Sequence, residues 1–192
     1  MASSAYCQVV RGTTRAGGRI VVAVLLILMR HGEAGEADSR RWPDDRHRPL
    51  TDAGRREHAR VSEALRRMGV RFDRLLASPL ARARETAEIT ARVYGAPAPE
   101  LTELLGDRAE PASTLVGLAS VEASALLCVG HEPTLSRLVG LLTSRDGSGR
   151  VEMAKSGVAV IECAGPVAPG RGVLRLHLRP RELVALLPCS VS

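Results

Sequence analysis

The hydrophobic pattern of the chain starts with an unbroken apolar run at 20–29, which ends at Arg30 and His31. A continuous run of β-branched residues and Leu without polar alternation is typical of a strand buried on both faces. Shorter apolar runs predict further strands at 72–77, 125–129, 157–163 and 172–178. In the last of these runs Leu alternates with Arg and His, which predicts one solvated face.

Between the strands, apolar residues recur at the spacing of amphipathic helices. The first helix is expected to follow an N-cap at Thr51 and to stop at Gly69, with His58 on its surface. The second helix is expected to start with Ser78 as its cap and Pro79 as its first residue. Two further helices are expected at 111–120 and 133–142. Alternating strands and helices predict a layered α/β fold with a largely parallel sheet.

Residues 1–19 are small, polar and basic, so we expect a disordered N-terminal extension before a single domain at 20–192. The apolar run at 20–29 is too short to span a bilayer, and no small-residue cleavage site follows it. The four cysteines form no C-x-x-C pair, and two of them, Cys128 and Cys163, lie in apolar runs typical of core thiols. We therefore expect a cytoplasmic protein without a membrane anchor.

Composition narrows the classes of function. Hydrophobic residues make up 45% of the chain, which predicts a folded globule, but aromatic residues only 2%. Binding of single-stranded nucleic acid needs aromatic side chains on which bases stack, so this composition argues against it. The net charge of +6 is carried almost entirely by Arg and leaves two interpretations open. It reflects either an Arg-rich proteome or a positive field that attracts anionic substrates.

Charged and polar side chains follow three of the predicted strands. Arg30 and His31 follow the first, Arg82 comes shortly after the second, and His131 follows the third. Arg48 lies in the loop after the first strand. Because ligands in open α/β sheets bind beyond the carboxyl ends of the strands, we expect these two imidazoles and three guanidiniums to converge.

This grouping suits phosphate. A guanidinium matches phosphate oxygens as a bidentate fork, and phosphoryl transfer mainly needs positioning and stabilisation of charge on those oxygens. Histidine is an effective nucleophile near pH 7, because a large fraction is neutral and has a free ring nitrogen. A single His at a strand end is more often a structural turn residue, and a single Arg is usually solvated. The joint occurrence therefore carries the hypothesis.

Four motifs resemble those of the histidine phosphatase superfamily, whose fold is the phosphoglycerate mutase-like three-layer α/β/α sandwich with a mostly parallel central sheet. They are LMRHGE at 28–33, RPLT at 48–51 with Gly54, SPLARARET at 78–86 and VGHEP at 129–133. The short length, GHEPT at 130–134, KSGVAV at 155–160 and the closing segment 174–183 resemble the small bacterial SixA-type phosphohistidine phosphatases. The resemblance covers about residues 20 to 187.

The resemblance implies that His31 is the nucleophile and forms a covalent phosphohistidine intermediate. It also implies that Arg30, Arg82 and His131 bind the transferred phosphoryl group, and Arg48 is expected to complete the pocket. No metal and no organic cofactor are implied. The expected partner is a phosphorylated protein, either a phosphotransfer domain or a phosphocarrier, with a small phosphorylated metabolite as the alternative.

The role of Glu103 is left open by the sequence. Ester-cleaving relatives use a carboxylic acid in this region to protonate the leaving oxygen, but Glu103 is one residue closer to Gly106 than in the ester-cleaving pattern. A solvated loop acid is the other interpretation. An N–P bond needs less help, because a leaving imidazole is readily protonated near neutral pH. The sequence therefore favours protein phosphohistidine over a phosphomonoesterase or mutase for metabolites, and both over a non-catalytic phosphate-binding module.

Overall fold

The computed structural model describes residues 13–16, 19–149 and 151–187. The strands are β1 (Thr13–Ala16), β2 (Arg19–Arg30), β3 (Arg74–Ala77), β4 (Glu100–Leu101), β5 (Ala125–Gly130), β6 (Val158–Ala164) and β7 (Gly172–Leu178). The α-helices are α1 (Asp52–Arg67), α2 (Ala81–Tyr94), α3 (Pro111–Ala119), α4 (Thr134–Thr143) and α5 (Pro180–Ala185). Two short 3-10 helices lie at Asp45–His47 and Glu103–Leu105.

The strands form a mixed sheet in the order β4-β3-β5-β2-β6-β7. The first four strands of this order are parallel to one another, and β6 and β7 are antiparallel to their neighbours. The prediction of an α/β fold with a mostly parallel sheet is therefore confirmed. Because β5 lies between β3 and β2, the carboxyl ends of these three strands are adjacent at one edge.

Each face of the sheet is covered by helices, which makes three layers. Ile27 and Met29 of β2 pack with apolar residues of α1, α2 and α5 on one face. Leu26 and Leu28 pack with α3 and α4 on the other face. The four side chains are fully buried, so the prediction of a strand buried on both faces is confirmed. A strand in this position fixes the backbone of the residues that follow it.

Most predicted helix ends agree with the structure, but the start of α2 and the burial of His58 differ from the predictions. Thr51 accepts a hydrogen bond from the Gly54 N–H at 3.0 Å, as expected of the cap of α1. The prediction that Ser78 caps the second helix is wrong, because α2 begins at Ala81 after an extended Leu80. The expectation that His58 lies on a helix surface is also wrong, because this side chain is fully buried.

Three further elements, β4, α5 and β1, were missed in the sequence. Strand β4 has only two residues, and α5 has six, so neither contains enough positions for a hydrophobic period. Strand β1 lies within the expected N-terminal extension and pairs antiparallel with the start of β2. The rest of that extension lies outside the described residues. In the described part of the chain, no helix has the length and apolar character needed to cross a membrane.

The two cysteines expected to be core thiols, Cys128 and Cys163, are free and buried. Both belong to the apolar layer that packs against α3 and α4. Cys7 and Cys189 lie outside the described residues. The prediction of ordinary core thiols is confirmed for the two cysteines that the structure describes.

Candidate active site

The carboxyl ends of β2, β5 and β3 bring the predicted site residues together. The His31 N–H donates to the Gly130 carbonyl at 3.0 Å, and the Ser78 N–H donates to the Val129 carbonyl at 3.0 Å. These two backbone bonds continue the parallel ladders one residue past the strands. His131 follows the middle strand and therefore lies between the segments that carry His31 and Ser78.

Two imidazoles face each other at the centre of the site. The ring centroids of His31 and His131 are 5.0 Å apart, and the rings are tilted by 51°. Both side chains are nearly inaccessible to solvent, with 7% and 3% of their surface exposed. The Nδ1 atom of His31 lies 2.7 Å from the Gly32 carbonyl oxygen. Since a carbonyl only accepts, the hydrogen is on Nδ1, which leaves a lone pair on Nε2.

Burial keeps both imidazoles neutral. Desolvation is the largest cause that lowers the pKa of His31 to about 3, followed by the neighbouring His131 and the cations Arg82 and Arg30. The pKa of His131 is lowered to about 3 mainly by desolvation, and then by the same two arginines. A neutral imidazole is the form that attacks phosphorus, so His31 is in its nucleophilic form at neutral pH.

A serine orients the second imidazole. The Nε2 atom of His131 lies 2.9 Å from the Ser78 Oγ, which also accepts a hydrogen bond from the Leu80 N–H at 3.2 Å. Because Ser78 still has its own hydrogen to give, it can donate to Nε2 and leave the His131 hydrogen on Nδ1. This role of Ser78 was missed in the sequence, where the SP dipeptide was interpreted as a helix start.

Several buried side-chain nitrogens at the site have no hydrogen-bond partner in the described part of the chain. Among the described residues, four buried side-chain nitrogens have no hydrogen-bond partner, and three of them belong to Arg30 (Nε), Arg82 (Nε) and His131 (Nδ1). Arg30 is anchored at its other end, where Nη1 donates to the Met153 carbonyl at 2.8 Å. Buried donors without a partner cost free energy unless a ligand satisfies them. A phosphoryl group, with several acceptor oxygens, fits this set of donors.

A carboxylate that the sequence did not single out holds two of the arginines. Asp45 accepts hydrogen bonds from Arg48 Nε at 2.6 Å and from Arg82 Nη1 at 3.0 Å. The hydrogen bond from Arg48 is the largest cause that lowers the pKa of Asp45, so its carboxyl is ionised at neutral pH. Arg48 also donates to the Gly35 carbonyl at 2.9 Å. The predicted grouping of the three arginines thus includes a fixed negative charge.

Removing this charge is expected to tighten the binding of anions. Because Asp45 attracts the same guanidinium groups that a phosphoryl group would contact, it competes with an anion for them. The substitution Asp45→Asn should lower the Kd for inorganic phosphate by about threefold to tenfold. Isothermal titration calorimetry of the variant and the wild type with inorganic phosphate measures this difference.

Asp44→Asn is the matched control for this prediction. Asp44 has the same charge and adjoins Asp45, but its carboxylate interacts with the Arg46 N–H and with His47 at the surface. We expect its Kd for phosphate to stay within about twofold of the wild-type value. Weaker phosphate binding by Asp45→Asn would contradict the prediction and mean that Asp45 acts mainly by holding the arginines in place.

Glu103, whose role the sequence leaves open, lies at the protein surface. Glu103 begins a 3-10 helix, and its exposed carboxylate accepts a hydrogen bond from Arg46 Nη2 at 2.7 Å. Asp45, Arg46 and Glu103 line the same cavity of about 650 Å³, and Asp45 connects it to Arg82. His47 is exposed. Trp42 stacks beneath Arg41, whose guanidinium carbon is 5.6 Å from the ring centroid.

Comparison with known proteins identifies related sequences. A family model described as histidine phosphatase superfamily (branch 1) matches residues 26–109. An uncharacterized protein of Picosynechococcus sp. is 33% identical in an alignment of 136 residues that covers 69% of this chain and 81% of that protein. An uncharacterized protein of Mycobacterium tuberculosis is 33% identical in an alignment of 161 residues that covers 76% of this chain and 96% of that protein.

Solved structures with similar folds include the protein histidine phosphatase SixA complexed with tungstate. Its TM-score is 0.72 with 24% identity, covering 83% of this chain and 99% of that chain. A protein assigned as the phosphohistidine phosphatase SixA of Nakamurella multipartitia has a TM-score of 0.68 and 29% identity, covering 82% and 96%. A phosphoserine phosphatase of Entamoeba histolytica has a TM-score of 0.58 and 19% identity, covering 83% and 99%. The fold is therefore phosphoglycerate mutase-like, as the sequence motifs predict.

Proposed function

This chain belongs to the histidine phosphatase superfamily and is a phosphatase, and we propose that its substrate is protein phosphohistidine. The observation that carries the proposal is the pair of buried, neutral imidazoles beside two guanidinium groups whose Nε atoms have no partner. This arrangement supports a nucleophile, a phosphoryl-binding pocket and a covalent intermediate on His31. The likeness in fold to SixA proteins, together with the 29% identity to one of them, supports the same substrate class.

The proposed reaction has two steps. The lone pair on His31 Nε2 attacks phosphorus in line, a new N–P bond forms, and the N–P bond to the target imidazole breaks. Arg30, Arg82 and His131 donate hydrogen bonds to the phosphoryl oxygens, where charge builds up. Water then attacks phospho-His31, phosphate leaves with the oxygen of that water, and the Nε2 lone pair is restored. The hydrogen stays on Nδ1 throughout, where it is donated to the Gly32 carbonyl oxygen, because that bond sets the tautomer.

The acids around the site favour a nitrogen leaving group. Asp45 is the carboxylate that contacts the phosphoryl-binding arginines, and its lowered pKa leaves it without a proton to give at neutral pH. Glu103 is exposed and paired with Arg46. A phosphate ester needs a proton on its leaving oxygen, whereas a departing imidazole takes one from water near neutral pH. Since Asp45 is ionised and the Glu103 carboxylate lies against Arg46 at the surface, neither is placed to supply that proton, which favours a phosphoramidate bond over an ester.

The experiment that tests this function compares two substrates. Phosphate release is measured from a protein that carries phosphohistidine and from an aryl phosphate, with the His31→Ala variant as the blank. A strong preference for phosphohistidine that is lost in the variant supports the proposal. Preference for the ester would instead support a phosphomonoesterase or mutase that acts on a small phosphorylated metabolite, which is the alternative within the same superfamily.

The substitution Glu103→Gln separates these two functions further. We expect kcat on either substrate to stay within about twofold of wild type, because this carboxylate lies at the surface against Arg46. An ester phosphatase that used Glu103 as its acid would lose about 100-fold in kcat on the aryl phosphate. Glu122→Gln, which removes an exposed charge next to the opposite end of β5, is the matched control.

The proposed partner is a phosphotransfer domain or a phosphocarrier, in the cytoplasm. Phosphohistidine in such proteins is held on a surface that must approach a second protein. The cavity lined by Pro43, Arg46 and Arg108 supports such an approach, because its lining also includes Asp45, which contacts Arg82.

A further inference from the structure

A fully buried histidine lies beneath the proposed nucleophile. His58, in the middle of α1, has 0% of its surface exposed, although it is polar and contacts no phosphoryl-binding side chain in any described hydrogen bond. Its Nδ1 lies 3.0 Å from the Ser156 Oγ, and its Nε2 lies 2.9 Å from the Thr90 Oγ1. Burial lowers the pKa of His58 to about 4, so the ring is neutral. A neutral ring offers one donor and one acceptor, which the hydroxyls of Ser156 and Thr90 match, and Ser62 Oγ joins the Thr90 side at 3.3 Å from Nε2.

Ser156 is bound to the main chain of the nucleophile. Its N–H lies 3.1 Å from the Arg30 carbonyl and 3.0 Å from the His31 carbonyl, so one donor is shared between the two residues. Its Oγ lies against the next residue, because a β-carbon at Gly32 would come within 3.2 Å of it. Ser156 is the non-glycine residue with positive φ, at 56°, in the described part of the chain. A residue holds this conformation only where its surroundings require it.

Thr90, the other partner of His58, is connected through Thr86 to Gly32, the residue that follows His31. Thr90 Oγ1 donates to the Thr86 carbonyl at 3.1 Å. The Thr86 side chain accepts from the Gly32 N–H at 3.0 Å and donates to the Arg82 carbonyl at 2.6 Å. The backbone around His31 is thus held by Ser156 on one side and by Thr86 on the other, with His58 joining the two through Thr90.

We propose that His58 is a positioning residue, which fixes the direction of the His31 imidazole by joining Ser156 to Thr90. The proposal rests on His31 being the nucleophile of the proposed function. Buried hydrogen-bond networks whose members are all satisfied hold one arrangement rigidly, whereas a network with an unpaired member can relax. Without His58, Ser156 loses its only described side-chain partner, and the loop that aims Nε2 at phosphorus is free to shift.

The test measures attack separately from phosphate binding. We expect His58→Ala to lower kcat for an aryl phosphate by about tenfold, because in-line attack depends steeply on geometry. The Kd for inorganic phosphate should change by less than about threefold, because Arg30, Arg82 and His131 do not hydrogen-bond to His58. Ser156→Ala breaks the same contact with a smaller loss of volume and should lower kcat in the same way.

Three further variants distinguish a positioning role of His58 from a purely structural effect. Leu118→Ala creates a cavity in α3, in the opposite layer, and should lower the melting temperature while leaving kcat near wild type. The double variant of His58 and Ser156 should have a kcat within about twofold of the lower single variant, since both substitutions remove one contact. His58→Asn, which can keep the bond to Ser156, should retain more kcat than His58→Ala.

Nuclear magnetic resonance of the imidazole nitrogens checks the proposal without turnover. In the wild type, the hydrogen of His31 should be on Nδ1, and in His58→Ala the two tautomers should mix. The proposal fails if the His58→Ala and Leu118→Ala variants have the same kcat. It also fails if His31 keeps a single tautomer in both of these variants. If the wild type releases phosphate from no substrate, the proposed function fails, and the tautomer measurement still decides whether His58 positions His31.

Discussion

Alanine in place of His31 is expected to lower kcat by at least about 10⁴-fold on every phosphorylated substrate. The Nε2 lone pair of His31 is the proposed nucleophile, because its Nδ1 hydrogen is held by the Gly32 carbonyl. We do not expect His131 to take over, because its Nε2 faces the Ser78 hydroxyl and its Nδ1 is the proposed donor to the phosphoryl group. Rapid-quench labelling should also show no acid-labile protein-bound phosphate in the variant.

The control for this prediction is another histidine near the rim. His47 adjoins Arg48, but its side chain is 79% exposed and interacts with Asp44 at the surface. We expect His47→Ala to keep kcat within about twofold of wild type and to form the phosphoenzyme normally. Protein-bound phosphate in the His31→Ala variant would contradict the mechanism, since the nucleophile would then be a different residue.

The second large effect is expected at Arg82. Lysine at this position should lower kcat/KM for an aryl phosphate by about 100-fold to 1000-fold. The Arg82 side chain is 5% exposed, its Nε has no partner among the described residues, and its Nη1 is bound to Asp45. Lysine keeps the charge but cannot bind Asp45 and a phosphoryl oxygen at the same time through a planar fork. The Kd for inorganic phosphate should therefore rise as well.

Arg84→Lys provides a control within the same helix. Arg84 is two residues further along α2 and is half exposed, with its guanidinium 3.6 Å from Glu88. The two substitutions change the same chemical group on the same element, so they differ only in whether the side chain reaches the site. We expect Arg84→Lys to leave kcat/KM within about twofold of wild type. An Arg82→Lys variant that kept a third or more of the wild-type value would disprove the role of the fork.

Asp45, the carboxylate bound to Arg82 and Arg48, has a second expected consequence for phosphate binding. The same Asp45 that holds Arg82 and Arg48 is ionised, so it adds order to the pocket and a negative charge that opposes the substrate. A pocket of this kind binds phosphate less tightly than its arginines alone would. Moderate binding favours release of the product, since free phosphate meets the same donors as the substrate.

The order of strands and helices could be predicted from the sequence because it depends on local periodicity. The unbroken run at 20–29 belongs to a strand buried on both faces, and α1 follows its cap at Thr51. The start of α2 could not be placed correctly, because the helix begins only at Ala81 and Ser78 Oγ contacts His131, which is 53 residues further along the chain. Very short elements such as β4 lack the length that a period needs.

The candidate site could be predicted in outline for a similar reason. Polar residues directly after buried strands must lie at the carboxyl edge of a parallel sheet, whatever the detailed packing. His31, His131 and Arg82 therefore converge because of the topology, and their types alone suggest phosphate chemistry. The strand order β3-β5-β2, which makes their segments neighbours, comes from pairing between distant parts of the chain.

By itself, the sequence determined the layered α/β architecture, the superfamily and the set of residues that meet at the strand ends. The tertiary structure decided which polar residues are buried and what they contact. In the sequence, Asp45 is one of several loop acids, and only the fold brings it to Arg82. His58 is expected on a helix surface, but the fold places Ser156, 98 residues away, against it. Local spacing encodes periodicity, but a buried polar group is stable only with a specific partner, and that partner is supplied by the fold.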